Sequence, residues 1–108
     1  MEAFQRELQF YETENGVAPA KNWLDAREDT EEYGAIMVGL EKVKQGNFGD
    51  HRSLGNGVSE LRIDFGLGYR VYYGQLGREL VILLVVGSKQ SQDRDIKTAK
   101  QYWKQFNA

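Results

Sequence analysis

The sequence predicts one α+β domain, with two N-terminal helices packed on a small antiparallel (mixed-edge) β-sheet and a third helix at the C-terminus. A chain of 108 residues has enough interior for one core and too little for two, so residues 1–108 are read as a single domain. Apolar side chains recur every three or four positions over residues 30–45 and again over 93–106, the period of a helix with one buried face. Between these stretches, glycine punctuates short segments rich in Val, Ile, Leu and Tyr, as in strands joined by tight turns.

Each element has its own signal. Residues 4–11 alternate Phe4, Arg6, Leu8 and Phe10 with Gln5, Glu7 and Gln9, which predicts a half-buried first strand. Asn15 and Gly16 break it. Pro19 suits the first turn of a short helix that carries Trp23 and Leu24, and residues 25–29 form a charged joint. From Thr30, with Glu31 and Glu32 favourably placed in the first turn, a second helix carries Tyr33, Ile36, Met37, Leu40 and Val43 on one stripe. Gly46 ends it, since glycine readily adopts the left-handed conformation that follows many helices. These two helices are read as a hairpin whose stripe covers the sheet. Residues 52–54, 58–64, 69–74 and 80–87 follow as a meander. The last segment is apolar at every position and belongs in the centre of the sheet. The final helix places Asp93 and Asp95 in its first turn and Ile96, Ala99, Trp103 and Phe106 on one face.

Composition narrows the function. Hydrophobic residues make up 41% and aromatics 12%, too apolar for a disordered chain. With no cysteine there is no disulfide framework and no thiolate metal site, and one histidine cannot build a zinc site; no metal and no cofactor is called for. The first residues lack the basic and apolar regions of a signal peptide, and the apolar run 80–86 falls far short of the roughly 20 residues of a membrane span. A cytoplasmic protein without membrane partners is expected.

Net charge is −2, but its halves differ. Residues 1–46 hold five Lys/Arg against ten Asp/Glu, and residues 47–108 hold nine against six. Either the charge is scattered and solvated, or the second half carries a basic face suited to nucleic acid.

The informative stretch is residues 59–73. If its turn centres on Gly66, Leu61 faces Val71, Ile63 faces Tyr69, and Arg62 faces Arg70. Two guanidiniums directly opposed on one sheet face repel each other. They are either neutralised by Glu60 and Asp64 in an ion-pair ladder or presented to an anion. Lys89, just beyond the last strand, and Arg52, one strand away, enlarge the cationic set. Tyr69 and Tyr72 are placed to stack on unpaired bases while Arg52 and its neighbours hold phosphates, as in single-strand RNA recognition. Tyr73 is read as core.

Residues 46–50 (Gly-Asn-Phe-Gly-Asp), 57–64 (Gly-Val-Ser-Glu-Leu-Arg-Ile-Asp), 68–72 (Gly-Tyr-Arg-Val-Tyr) and 91–96 (Ser-Gln-Asp-Arg-Asp-Ile) resemble, in order and spacing, the signature of addiction-module killer proteins. These form the HigB-like branch of the RelE/ParE toxin superfamily. The resemblance implies a RelE-like fold, a toxin of a type II toxin-antitoxin module, and a metal-independent endoribonuclease that cleaves messenger RNA, in many relatives on the ribosome, so inhibiting translation. A cognate antitoxin, expected to be a helix-turn-helix protein, is implied as partner. Attack of a ribose 2′-OH on the adjacent phosphate needs a cationic field and proton transfer at two oxygens. By resemblance Arg62 and Arg70 stabilise the phosphate and transition state, and Lys89 shares that role. His51, Asp93 and Tyr69 stand as candidates for proton transfer or positioning, with a roleless loop residue as the competing reading of His51 and helix capping as that of Asp93. Two further functions remain open on the same fold: a ParE-like inhibitor of DNA gyrase without nuclease activity, and a non-enzymatic antitoxin-binding relative.

Overall fold

The computed structural model describes residues 5–108, so Phe4 of the expected first strand lies outside the described residues. The elements are β1 (Glu7–Phe10), α1 (Pro19–Asp25), α2 (Glu31–Lys44), β2 (His51–Gly55), β3 (Val58–Ile63), β4 (Tyr69–Leu76), β5 (Leu80–Ser88), a 3₁₀ turn (Lys89–Ser91) and α3 (Gln92–Phe106). The local signals act where the sequence puts them. Pro19 opens α1. The Thr30 hydroxyl caps α2 by accepting from the Tyr33 N–H at 3.2 Å. Gly46 leaves α2 at φ 94°, and the Asn47 N–H then returns to the Lys42 carbonyl at 2.8 Å. Asn56 and Gly57 both have positive φ, 57° and 80°, which lets a two-residue turn join β2 to β3 with the twist the strands require.

The five strands form one mixed sheet in the order β1-β5-β4-β3-β2. Among the described residues only the β1–β5 pair is parallel. In the β3–β4 hairpin, Leu61 faces Val71, Arg62 faces Arg70, and Ile63 faces Tyr69, the register set by a turn at Gly66. Between β4 and β5 the register shifts at Tyr72 and Tyr73, which face Val85 and Leu83 and leave Leu84 as the extra residue of a bulge.

Both faces of the sheet are covered. The α1–α2 hairpin supplies Leu24, Ile36, Leu40 and Val43 to a core with Leu61, Val71, Tyr73, Val81, Leu83 and Val86. On the other face α3 packs Ala99, Ile96, Tyr102 and Trp103 against Val58, Tyr72, Ile82, Leu84 and Val85. β5 is therefore buried from both sides, as its unbroken apolar sequence requires. Gly74 sets how closely α3 approaches: a Cβ there would fall 2.5 Å from Trp103 ring atoms, so only a glycine lets the indole lie on the sheet. Among the described residues no helix is long and apolar enough to cross a membrane.

Candidate functional site

Alternation along β3 sends Glu60 and Arg62 to the face that α3 partly covers. The β4 register then brings Arg70 opposite Arg62 and Tyr72 opposite Glu60, and the β2 register brings Arg52 opposite Glu60. The Glu60 side chain is wholly buried and is the hub of the cluster. Its Oε2 accepts from Arg52 Nε at 2.7 Å and lies 3.7 Å from Arg62 Nε. Its Oε1 lies 3.0 Å from Arg70 Nε and accepts from Gln92 Nε2 of α3 at 3.1 Å. Asp50 is a distant second carboxylate, 3.9 Å from Arg62 Nη1.

Three guanidiniums thus surround one buried carboxylate, and a net positive charge remains. It is graded toward solvent: the side chains of Arg70, Arg62 and Arg52 are 13%, 35% and 50% exposed. The ion-pair ladder read from the sequence is thus present on this face, with Glu60 locking the arginines and the outer two guanidiniums still reaching water. Asp64 is exposed and has no ion-pair partner among the described residues; Asp50 takes the place expected for it. Hydrogen bonding to Glu60 raises the Arg52 pKa still further, so that guanidinium is permanently charged.

Lys89 adjoins this cluster. Its N–H donates to the Gly68 carbonyl at 2.9 Å, and a side chain at Gly68 would meet Arg70 Nη1 at 3.6 Å and Lys89 Cβ at 3.8 Å. The exposed Lys89 and the inner arginine thus share one corner of the sheet.

Tyr72 corrects the sequence reading. Expected to stack on RNA bases, its ring is instead completely buried beneath α3, because the face it shares with the arginines is covered at that point. Its hydroxyl has no hydrogen-bond partner among the described residues. Burial pushes the phenol pKa up, and the Glu60 and Asp95 carboxylates push it further, against the opposing pull of Arg70 and Arg52. Tyr72→Phe is therefore expected to raise stability by about 1 kcal/mol in urea unfolding at neutral pH, because an unsatisfied hydroxyl leaves the interior. The sign with pH follows from the raised pKa. Below the ordinary phenol value near 10 the neutral phenol is present in both states. Above it the unfolded chain ionises first, so stability falls, by at most about 1.4 kcal/mol per pH unit for this group. Tyr72→Phe should flatten that alkaline loss.

The remaining candidates lie elsewhere. Tyr69 belongs to the hairpin face, where its ring meets Trp23 edge-on at 6.0 Å between centroids. His51, read as a loop residue, is the first residue of β2 and pairs with Leu61. It stands beside Phe48 at 5.7 Å, with Nδ1 3.0 Å from the Gly49 carbonyl oxygen, on the face opposite the arginines. Asp93 is exposed in the first turn of α3 and caps nothing: the N-cap, Ser91, makes no side-chain cap bond, and its hydroxyl donates to Asp95 Oδ2 at 2.5 Å. Tyr73 is core, as read, packed 5.5 Å from the Phe48 ring. The structure therefore assembles Arg52, Arg62, Arg70 and Lys89 and sets His51 apart. Gln92, the α3 residue that reaches Glu60, stands in the sequence only within the 91–96 segment of the resemblance, and its contact was missed because nothing in a linear pattern fixes the register of a helix on a sheet.

No model of a known protein family matches the chain. A relative from Haemophilus influenzae, described as an uncharacterized protein, is 44% identical over 79 residues that span 73% of this chain and 80% of the relative. At that identity and coverage, the chain belongs to the same family as the Haemophilus influenzae protein.

Proposed function

We propose that the chain is a toxin of the RelE/ParE superfamily, in its HigB-like branch, that cleaves messenger RNA and is restrained by a cognate antitoxin. The observation that carries this reading is the cluster of Arg52, Arg62 and Arg70 locked on the buried Glu60, with Lys89 at its corner. A helical hairpin on one face of a mixed sheet and a C-terminal helix on the other also agree with the RelE-like arrangement.

In the proposed reaction Arg62 and Lys89 hold the scissile phosphate. Arg70, mostly buried and fixed by Glu60, points its charge at the same oxygens without having to reorganise. The three cations offset the negative charge that develops as the 2′ oxygen attacks the phosphorus, losing its proton to water, and the 5′ oxygen leaves, taking up a proton from water. A second reading has one observation in its favour. His51, the only histidine, lies on the far face, so the arginines have no imidazole beside them. A gyrase inhibitor of the same fold would need only the cationic surface.

Pulsed expression followed by primer extension on abundant transcripts separates the readings. New 5′ ends within coding regions, accompanied by growth arrest, are expected. Intact transcripts with altered plasmid supercoiling would replace cleavage by gyrase inhibition, and neither effect would leave an antitoxin-binding protein.

A further inference from the structure

Where β4 begins and β5 ends, α1, the start of α2 and the first turn of α3 leave an open groove of about 680 Å³. Its lining includes the aromatic residues Trp23 and Tyr69, the acidic residues Glu32 and Asp93, and the basic residues Arg27 and Arg94. Its volume is that of a site for one small ligand. Two features define what would fit. The first is the flat aromatic surface, with Tyr69 edge-on to Trp23. The second is a pair of uncommitted acceptors: among the described residues, neither Glu32 nor Asp93 has a hydrogen-bond or ion-pair partner for its side chain.

A carboxylate beside an aromatic ring also suits a cationic side chain. Here the charges balance, two acids against two arginines, and Arg27 already lies over the Trp23 ring at 3.7 Å while donating to the Trp23 carbonyl at 3.1 Å. The cation site is filled from within, which favours a flat, neutral ligand. The groove also continues the phosphate-holding corner, because Ser88 and Gln90, on either side of Lys89, both line it. A strand whose phosphate rests on Lys89 would place a neighbouring base here.

We propose that the groove receives an unpaired guanine, stacked on Tyr69 and held through its N1–H and N2–H₂ by the Asp93 carboxylate. Guanine alone among the RNA bases offers two adjacent donors on its Watson–Crick edge, the pattern that two carboxylate oxygens accept together. Adenine, cytosine and uracil each set an acceptor or a carbon beside their donor. The inference rests on the RNA-binding part of the proposed function and makes Asp93 and Tyr69 specificity residues for that RNA.

The test uses 2′-O-methyl RNA tetramers, which cannot be cleaved by 2′-OH attack, of sequence AAGA, AAAA, AACA and AAUA, titrated against the intact protein by calorimetry. AAGA is expected to bind at least about tenfold more tightly than the others. Asp93→Asn should bring the four within about twofold of one another. Tyr69→Ala should weaken all four by about tenfold, with Tyr69→Phe as the control that keeps the stack. Equal binding of the four tetramers, or a guanine preference that survives Asp93→Asn, would overturn the proposal. So would displacement of bound AAGA by N-acetylarginine amide without displacement by guanosine monophosphate, which would assign the groove to a cationic side chain. The two readings fail separately. A guanine preference with intact transcripts leaves the groove assigned and removes cleavage; cleaved transcripts without any guanine preference remove the groove assignment and leave cleavage.

Discussion

Glu60→Ala is expected to cost about 3–5 kcal/mol of folding stability in urea unfolding at neutral pH. The carboxylate is fully buried and takes hydrogen bonds from Arg52 and Gln92 while lying against Arg70 and Arg62. Its removal leaves guanidiniums at close quarters with nothing between them. Arg52 can turn outward to water, but Arg70, only 13% exposed, has little freedom to follow. Glu60→Gln should fall between wild type and Ala, because an amide oxygen keeps one acceptor without the charge. Glu60→Leu should be as damaging as Ala while Arg70 remains, and combining it with Arg70→Leu should recover a part of the loss, since a buried ion pair can give way to apolar packing once both partners go. A loss below about 1 kcal/mol for Glu60→Ala would mean that the arginines are already solvated and that Glu60 locks nothing.

Much of this site was legible because it is built on a hairpin. A turn at Gly66 and strict alternation fix which residues oppose, so the facing of Arg62 and Arg70 and the separate apolar face of Leu61 and Ile63 follow from local pattern alone. Parity, however, says which side a residue faces and not what covers that side. Tyr72 shares a face with the arginines, yet it lies under α3 where they emerge, and that boundary depends on how far along the sheet the final helix docks. Gly74 and Gly87 control that docking. A Cβ at Gly74 would strike the Trp103 ring, and one at Gly87 would strike the Asp95 carboxylate, so two glycines that read as strand punctuation are contact points for a helix. Glu60 was legible as a partner of Arg62. Its role as hub depends also on the β2–β3 register that delivers Arg52 and on the α3 residue Gln92, neither of which a local pattern fixes.

Under the proposed function, the exposure gradient across the three arginines would divide folding from chemistry. Arg70 is the most buried of the three, so a change there is expected to disturb the fold and the proposed phosphate field together. Arg52 is tightly bonded to Glu60 but the most exposed, and suits holding a flanking phosphate. Arg62 lies between: its Nε is 3.7 Å from Glu60 without hydrogen-bond alignment, and its Nη1 is 3.9 Å from Asp50. Of the three it is the least committed to the protein and so the most available to a ligand.

Arg62→Ala is accordingly expected to lower the rate of transcript cleavage about 100-fold or more, the usual loss when one preorganised donor to a developing oxyanion is removed. Stability should change by less than about 1 kcal/mol, because the ion pairs it loses are long and partly solvated. Arg62→Lys keeps the charge but not the planar fork, and should recover binding more than rate. Rates come from time-resolved primer extension on one transcript at equal protein levels, and stability from urea unfolding of the purified variants. Raising salt should weaken RNA binding by wild type more steeply than by Arg62→Ala, since the variant makes one phosphate contact fewer. If Arg62→Ala cleaved within about threefold of wild type while remaining folded, the reacting phosphate would lie elsewhere, and the arginine cluster would be a structural ion-pair network alone.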